Sequence, residues 1–354
     1  MRRAGGLYPA IIRFENLLLA AKKAQRCKRY RHDVLAFNYA LEPNLLALQH
    51  ELETRTYTPL GYATFFIHEP KRRLISAAPY RDRVIHHALC NVVEPIFDKT
   101  FIASSYANRK GKGTRKALDH FRECIQRRRY AFCLRADIEK YFPTVDHASL
   151  KAAIRRKIKC PETLWLIDTI LDGSNEQGAP FPYFPGDDLL APCERRIGLP
   201  IGNLTSQIWA NVNLTSLDHA MAKRYGCRRY LRYVDDIALF SDNPIELAEA
   251  RAYLSRLLAD VRQRLHPGKT AVIDCRDGVT FLGFRFFPEH VRLRQENLRR
   301  TRRRMKRLVH EYKVGATSLA QTKNSIQSWV AHASYGDTWR LRERLFDGLH
   351  FSRH

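Results

Sequence analysis

Paired cysteines and long apolar runs are both missing from this 354-residue sequence. Its eight cysteines are scattered without a C-x-x-C pair. That scatter argues against a zinc site or disulfide framework and favours reduced thiols. No apolar run approaches the roughly 20 residues that a membrane-spanning helix needs, and the N-terminus lacks the pattern of a signal peptide. The sequence therefore predicts a cytoplasmic protein that does not sit in a membrane.

Acidic residues are also scarce. Sixty-one Lys and Arg stand against 36 Asp and Glu, which gives a formal net charge of +25. Such an excess predicts a polyanionic partner, most simply a nucleic acid, with an anionic membrane surface as the competing partner. The length allows two or three subdomains around a substantial core.

A Walker loop is absent as well, although residues 105–115 place glycines between cations. Glycines there would let backbone amides approach phosphate closely. The G-x-x-x-x-G-K-[ST] pattern of a P-loop is not present. Arg109 within this segment is a candidate contact to a primer or template strand.

Two adjacent acids, Asp235 and Asp236, lie inside the apolar segment 230–240, around which the sequence is organised. The flanking β-favouring residues predict a strand, a tight turn and a second strand, with both acids at the turn. A half-buried pair of like charges needs a counter-charge, and hard cations such as Mg²⁺ prefer carboxylate oxygens. A solvated hairpin turn is the alternative interpretation of the dipeptide alone.

A third acid, Asp137, ends the apolar strand candidate at 130–137, unless it merely caps the segment that follows. If its strand neighbours the hairpin, the three acids can hold two Mg²⁺ ions about 3.5–4 Å apart. One ion would activate a primer 3′-hydroxyl, and the other would hold a nucleoside triphosphate. Phe142 would then stand beside the incoming sugar and exclude a 2′-hydroxyl, with core packing as its alternative role.

Basic residues mark three further segments. Strand candidates at 62–68 and 73–77 flank a basic tip, where Lys71 and Arg73 are candidates for holding a triphosphate or are simple surface charges. The basic run at 22–31, between two helical stripes within 7–60, is interpreted as a solvated helix face. Near the C-terminus, residues 291–354 predict a very basic helical unit whose density of Arg favours a phosphate track over a solvated helix face. Candidate contacts on it are Arg299, Arg302, Arg303 and Lys306.

The remaining pattern predicts mixed helices and strands. Amphipathic helices are expected at 81–96, 147–171, 205–217 and 246–265, a long loop at 173–195, a turn at 266–270 leading into a strand, and one strand at 279–286.

Four motifs in order now resemble those of reverse transcriptases: Asp137 with Phe142 five residues on, then Tyr233-Val234-Asp235-Asp236, then Lys269 in a turn, then Leu282-Gly283. The resemblance runs from about residue 60 to the C-terminus. It implies an α+β, right-hand polymerase fold, whose palm is a ferredoxin-like antiparallel sheet with helices. On this basis, residues 1–130 are N-terminal helices and fingers, 131–290 the palm with a fingers-side segment at about 173–215, and 291–354 a helical thumb.

The resemblance also implies roles for individual residues. Asp137 and Asp235 would be the main ligands of two Mg²⁺ ions, with Mn²⁺ as a substitute, the Ile138 carbonyl assisting and Asp236 supporting. Further implied contacts to the deoxynucleoside triphosphate come from Lys71, Arg73, Phe142, Ile201, Gln207 and Lys269, and Gly283 would be the primer grip. The implied partners are an RNA template and a DNA or RNA primer.

A narrower resemblance concerns the loop before residue 205. Most reverse transcriptases have Gln-Gly there, whereas this chain has Ile201-Gly202 followed by Ser206-Gln207. That pattern is similar to the reverse transcriptases of diversity-generating retroelements in bacteria, phages and archaea. Such an enzyme copies a template-repeat RNA with errors at adenines and acts with a basic accessory variability protein. Since Ile201 cannot hydrogen-bond near the nascent base pair as a Gln could, discrimination would be relaxed.

Two other functions stay open. The chain could be a defence-associated, retron-like or group II intron-like reverse transcriptase, or a non-catalytic RNA-binding protein of the maturase kind. Intact acids at 137, 235 and 236 disfavour the second alternative, because an inactive scaffold has no need of three converging carboxylates.

Overall fold

A computed structural model describes residues 3–68, 71–126, 129–178 and 182–352. The predicted hairpin tip includes Glu69 and Pro70, which lie outside the described residues. The helices are α1 Tyr8–Ile12, α2 Phe14–Ala24, α3 His32–Tyr39, α4 Leu41–Glu53, α5 Tyr80–Asp98, α6 Thr114–Ile125, α7 Tyr141–Thr144, α8 His147–Arg155, α9 Pro161–Asp172, α10 Ala191–Glu194, α11 Leu204–Asn213, α12 Thr215–Tyr225, α13 Pro244–Asp260, α14 Gln295–Lys313, α15 Leu319–Ala333 and α16 Trp339–Phe346. The strands are β1 Ala63–Ile67, β2 Arg73–Ala77, β3 Phe132–Asp137, β4 Tyr230–Tyr233, β5 Asp236–Ser241, β6 Ala271–Asp274, β7 Val279–Phe281, β8 Phe284–Phe286 and β9 Val291–Leu293. Mixed helix and antiparallel sheet confirm the predicted α+β class.

The central sheet has the strand order β4-β5-β3-β6, and every pairing is antiparallel. Side chains alternate between its two faces along each strand, with the period of two that extended backbone imposes. One face carries Leu134 and Leu239 into the large core beneath α13. The other carries Cys133 and Phe240 against Phe121 of α6. Because both faces are covered, β3 and β5 are apolar nearly throughout.

The segment predicted as one strand at 279–286 is instead two strands, β7 and β8, joined by a tight turn. Leu282 and Gly283 form the turn with φ of +43° and +91°, a left-handed backbone that glycine adopts without steric cost. Strand β9 pairs with β8, so the domain boundary predicted at residue 290 falls within this small sheet. The small sheet packs on the second face of the central sheet through Phe281, whose ring stacks on Phe121 at 4.4 Å.

Helices α1 to α4 pack around α5, and together they form the N-terminal part of the molecule. The phenolic hydroxyl of Tyr80 donates to the Ala21 carbonyl at 2.9 Å, which fixes the start of α5 against α2. The basic run was predicted to be a helix face. It forms turns over residues 25–31 between α2 and α3 instead. Its cations are therefore gathered at one end of the helical layer and are not spread along a helix.

Two predicted helices are each divided in two. The segment 147–171 becomes α8 and α9, because Pro161 has no amide hydrogen to continue a helix and instead takes its first position. The helix predicted from 205 ends at Asn213, and α12 begins at Thr215. Neither Thr205 nor Ser206 caps α11, which starts after Asn203.

Four other predicted elements are present in the structure. The hairpin at 63–77, the strand ending at Asp137, the strand–turn–strand at 230–241 and the basic C-terminal helices are all confirmed. All eight cysteines are free. Among the described residues, no helix combines the length and apolar character needed to cross a membrane.

Candidate active site

The three acids predicted to converge lie at one end of the central sheet. Antiparallel pairing of β3 with β5 sets Asp137 directly opposite Asp236. The amide of Ile138 donates to the carbonyl of Asp235 at 3.2 Å, so the backbone just beyond β3 is joined to the turn. Asp137 is 8% exposed, and the other two carboxylates are half-buried. Acids almost a hundred residues apart in sequence thus share one small volume.

The turn that carries the acids has a strained backbone. Strands β4 and β5 are joined by the two-residue loop Val234-Asp235, with Tyr233 paired to Asp236. Val234 has φ of +56°, a conformation that costs a β-branched residue about 1–3 kcal/mol. Surrounding contacts must hold such a turn in place.

One contact that holds the turn comes from Arg232, which is fully buried. Its guanidinium donates to the Val234 carbonyl at 2.9 Å. It also binds both carboxylate oxygens of Asp218 at 2.6–3.0 Å. Tyr230 donates to the same carboxylate at 2.8 Å. Sequence reasoning missed this network, because an arginine within a strand gives no sign that its partner lies on the preceding helix, α12.

The pKa values of Asp235 and Asp236 show that negative charge is unfavourable in this site unless a cation is near. Burial raises the pKa of Asp235, and the charge of Asp137 adds to that rise. Burial together with the charges of both neighbouring acids raises the pKa of Asp236 to about 6. The charges of Arg73 and Lys269 lower the pKa of Asp235 and so oppose its rise. The charges of Arg135 and Lys269 lower the pKa of Asp236 in the same way. Cations from β2, β3 and the turn before β6 therefore face the acids.

Lys269 makes the strongest of these contacts, an ion pair between its ammonium and the Asp137 carboxylate. The short helical turn Pro267–Lys269 positions it, and the amide of His266 donates to the Asp137 carbonyl at 2.7 Å. Lys269 was predicted to contact the triphosphate, whereas here it neutralises an acid.

Whether divalent cations fit this site is answered by its donor set. Across residues 3–68, 71–126, 129–178 and 182–352, no three His, Cys, Asp or Glu side chains form a ready-made metal cluster. The carboxylates at 137, 235 and 236 are nonetheless hard oxygen donors whose mutual repulsion a cation would relieve. An open set of this kind suits ions that keep several water or phosphate ligands, as Mg²⁺ does.

Two residues predicted to contact the nucleotide, Phe142 and Ile201, are held by backbone hydrogen bonds of the loop at 198–203. The Phe142 carbonyl accepts from the amide of Leu199 at 2.8 Å, and this bond fixes the start of the loop at 198–203. The Ile201 carbonyl accepts from the amide of Ser76 on β2 at 2.9 Å. Phe142, Ile201 and the β1–β2 hairpin are therefore linked through backbone hydrogen bonds. Gly202, with φ of +124°, allows this close approach, since a Cβ there would lie 3.3–3.4 Å from β2.

The structure places the other predicted contacts as follows. Lys71 and Arg73 are exposed on the β1–β2 hairpin, and Gln207 is exposed on α11. Arg109 is different, because its guanidinium is turned into the protein and is only 8% exposed. It pairs with Asp98 at 2.6 Å and donates to three carbonyls. Arg109 therefore stabilises its loop and does not present its charge to a nucleic acid.

Gly283 connects the small sheet to the basic helix. Its carbonyl accepts from the amide of Arg294 at 3.0 Å and from the side chain of Asn297 at 3.1 Å. Helix α14 buries Met305 and Leu308 and exposes the predicted phosphate contacts along its other side. Arg299, Arg302, Arg303 and Lys306 make no ion pair with any described residue.

Comparison with known proteins finds one matching family model and two similar proteins. The family model described as "Reverse transcriptase (RNA-dependent DNA polymerase)" matches residues 68–286, more than half of the chain. Protein YkfC of Escherichia coli (strain K12) is 26% identical over 292 residues, which cover 71% of this chain and 73% of that protein. The "Uncharacterized 91 kDa protein in cob intron" of Schizosaccharomyces pombe (strain 972 / ATCC 24843) is 28% identical over 152 residues, covering 42% of this chain and 17% of that protein.

Proposed function

Since the chain belongs to the reverse transcriptase family, we propose that it synthesises DNA on an RNA template by metal-assisted nucleotidyl transfer. Its substrates are deoxynucleoside triphosphates and the 3′-hydroxyl of a DNA or RNA primer. The observation that carries this proposal is the convergence of Asp137 with the Asp235–Asp236 turn, whose electrostatics Arg73 of β2 influences. The charge excess of +25 supports a nucleic acid partner.

The proposed layout is that of a right hand. The central sheet is the palm, the β1–β2 hairpin with the N-terminal helices forms the fingers, and α14 to α16 form the thumb. The bonds from Gly283 to the start of α14 support its role as the primer grip, because they join the basic helix to the turn of the small sheet.

Asp137, Asp235 and Asp236, assisted by the Ile138 carbonyl, would hold two Mg²⁺ ions, for which Mn²⁺ can substitute. When bound, the ions supply charge stabilisation to the attacking and leaving oxygens. Lys269 keeps Asp137 paired until the triphosphate arrives. It can then turn its ammonium towards the phosphates, which unites its observed contact with its predicted one.

The positions of Arg73, Lys71 and Phe142 in the fold support their proposed contacts to the nucleotide. The charge of Arg73 on β2 lowers the pKa of Asp235 against the effect of burial, and we expect a triphosphate to bridge this cation and the acids. Lys71 extends the same positive edge. Phe142, locked to the loop at 198–203, would lie against the sugar and reject a 2′-hydroxyl.

Primer extension tests the proposal. Purified protein with Mg²⁺, deoxynucleotides and a primed RNA template should give extended DNA. Asp235→Asn removes one charge with little change in volume and should reduce the rate by at least a thousandfold. Asp242→Asn, on an acid outside the site, is the matched control and should extend normally. A wild-type protein without extension, or an Asp235→Asn variant as fast as wild type, contradicts the assignment.

A specific loop favours the diversity-generating type. Ile201 and Gly202 lie between Phe142 and β2, where a Gln side chain would be within reach of the nascent base pair in other reverse transcriptases. An apolar side chain offers no hydrogen bond to test that pair, so error-prone copying is expected. A basic accessory protein oligomer would then be a partner.

Sequencing the DNA copied by wild-type and Ile201→Gln enzymes tests this finer proposal. We expect fewer misincorporations opposite adenines in the variant, while Ile201→Leu, which stays apolar, should keep the wild-type error rate. Equal error rates in all three enzymes would count against it.

Two alternatives have their own discriminating observations. A group II intron-like enzyme gains support from the relative whose printed name places it in an intron, and a retron-like or defence-associated enzyme would also extend primers. A template and variable repeat pair beside the gene separates the diversity-generating type from these. A non-catalytic, maturase-like role requires that RNA binding persist with no extension by any preparation.

A further inference from the structure

The turns between α2 and α3, together with the start of α5, form a second strongly basic surface. Between residues 22 and 40 the chain has six Lys and Arg and one acid, Asp33. Within the described residues, Lys22, Arg26, Arg29 and Arg31 make no ion pair. This surface lies on the N-terminal helices, which are separate in the chain from the basic helix α14.

The positive charges of this surface lie close enough together to repel one another. Burial and the neighbouring charges of Arg83 and Arg31 lower the pKa of Lys28. The side chain of Arg83 is only 11% exposed and pairs with Asp33 at 3.0 Å. Its Nε atom has no hydrogen-bond partner among the described residues, and the same is true of buried Nδ1 of His87 on the next turn of α5. Both of these atoms are buried, so the groups open to an anion are the exposed guanidinium groups of Arg29 and Arg31.

Two tyrosines are exposed among these cations. Tyr30 is 84% exposed and Tyr39 is 95% exposed. Such exposure leaves both rings free to stack on the bases of a partner. Exposed rings interleaved with Arg and Lys are the arrangement that binds unpaired bases by stacking and their phosphates by charge. An anionic lipid surface would use the cations but would give the upright tyrosine rings no stacking partner.

We infer that the exposed surface of Arg29, Arg31, Tyr30 and Tyr39 binds a single-stranded RNA segment, at a site distinct from the primer–template track of α14. The inference rests on the proposed function only for the choice of RNA. Helix α5 follows β2 directly, so RNA held here would be tethered on the side of the molecule that carries the triphosphate hairpin. This would keep an unpaired part of the template RNA attached while the 3′-end is extended elsewhere.

Fluorescence anisotropy with the full chain and a labelled 12-nucleotide unpaired RNA tests the inference. A saturating unlabelled primer–template duplex occupies the α14 track in every measurement. The Arg29→Ala/Arg31→Ala variant should weaken binding about tenfold at 0.1 M salt and reduce the slope of log Kd against log salt by about 1.4. The Arg251→Ala/Arg256→Ala variant, with the same charge loss on exposed positions of α13, is the matched control.

Stacking is tested separately. The Tyr30→Ala/Tyr39→Ala variant should weaken binding about fivefold or more with an unchanged salt slope, whereas Tyr30→Phe/Tyr39→Phe should bind as wild type does. Primer extension on a short template that cannot reach this surface should be equal in all variants. The inference is overturned if the duplex displaces the RNA, if the Arg29/Arg31 variant matches its control, or if only phosphatidylserine vesicles bind. Absence of extension by the wild type would instead overturn the proposed function, because RNA binding needs no catalysis.

Discussion

The buried pair of Arg232 and Asp218 offers the sharpest test of how the site is held together. Arg232→Met removes a fully buried cation and leaves the Asp218 carboxylate, 1% exposed, without its counter-charge. Uncompensated buried charge costs about 3–5 kcal/mol. Asp218→Leu should cost a similar amount by leaving the guanidinium unpaired. The double variant should be much less destabilised than the sum of the two, because neither charge remains.

Catalysis should behave differently from stability. In the double variant the Val234 carbonyl loses its bond to the guanidinium, and the strain of the left-handed residue, about 1–3 kcal/mol, is no longer opposed. The turn can then relax and carry Asp235 out of position. We expect kcat for primer extension to fall about tenfold or more, while KM for the primer–template stays near the wild-type value.

Adding Val234→Gly to the double variant provides the matching control. Glycine adopts φ near +56° without steric cost, so part of the lost kcat should return with no gain in template affinity. Thermal melts measure stability and single-turnover extension measures the chemical step. A folded double variant with wild-type kcat, or a glycine variant with no recovery, would refute the view that Arg232 holds the turn.

Other predictions concern the thumb, the grip and the sugar contact. Arg302→Ala/Arg303→Ala should reduce the salt slope for duplex binding by about 1.8, as measured by anisotropy in a salt series. Gly283→Ala should destabilise the protein by about 1–3 kcal/mol in a melt and impair primer use, because φ is +91° and a Cβ would lie 2.8 Å from the Asn297 side chain. Phe142→Ala should raise ribonucleotide incorporation relative to deoxynucleotides about tenfold or more, and an unchanged ratio would assign the ring to packing.

The sequence pattern was sufficient to predict a strand or helix wherever a single periodicity extends over the whole segment. The strand ending at Asp137 and the hairpin bearing Asp235 were predicted because β-favouring residues surround the acids without interruption. The same reasoning failed at 279–286, where β-favouring residues on both sides of Leu282-Gly283 predict one strand although these two residues form a turn. It failed again at Pro161, because the apolar stripe continues across this proline although the helix does not.

Parts of the site could not be predicted because they depend on distant residues. Nothing in sequence spacing shows that Lys269 pairs with Asp137, or that Arg109 turns inward to Asp98. Both contacts arise from tertiary packing between segments far apart in the chain. The basic run near Arg29 was interpreted as solvated because periodicity says nothing about exposed tyrosines or about the cations of α5 that lie beside it.

Because Lys269 forms an ion pair with Asp137, we expect folding of the site not to depend on the binding of Mg²⁺. The ammonium of Lys269 already pairs with Asp137, the most buried of the three acids of the site, so we expect the chain to assemble this corner without an exogenous ion. Treatment with EDTA should therefore stop synthesis while leaving the melting temperature within about 2 °C, and added Mg²⁺ should restore activity without refolding. If the proposed function holds, magnesium should therefore control synthesis reversibly without changing whether the protein is folded.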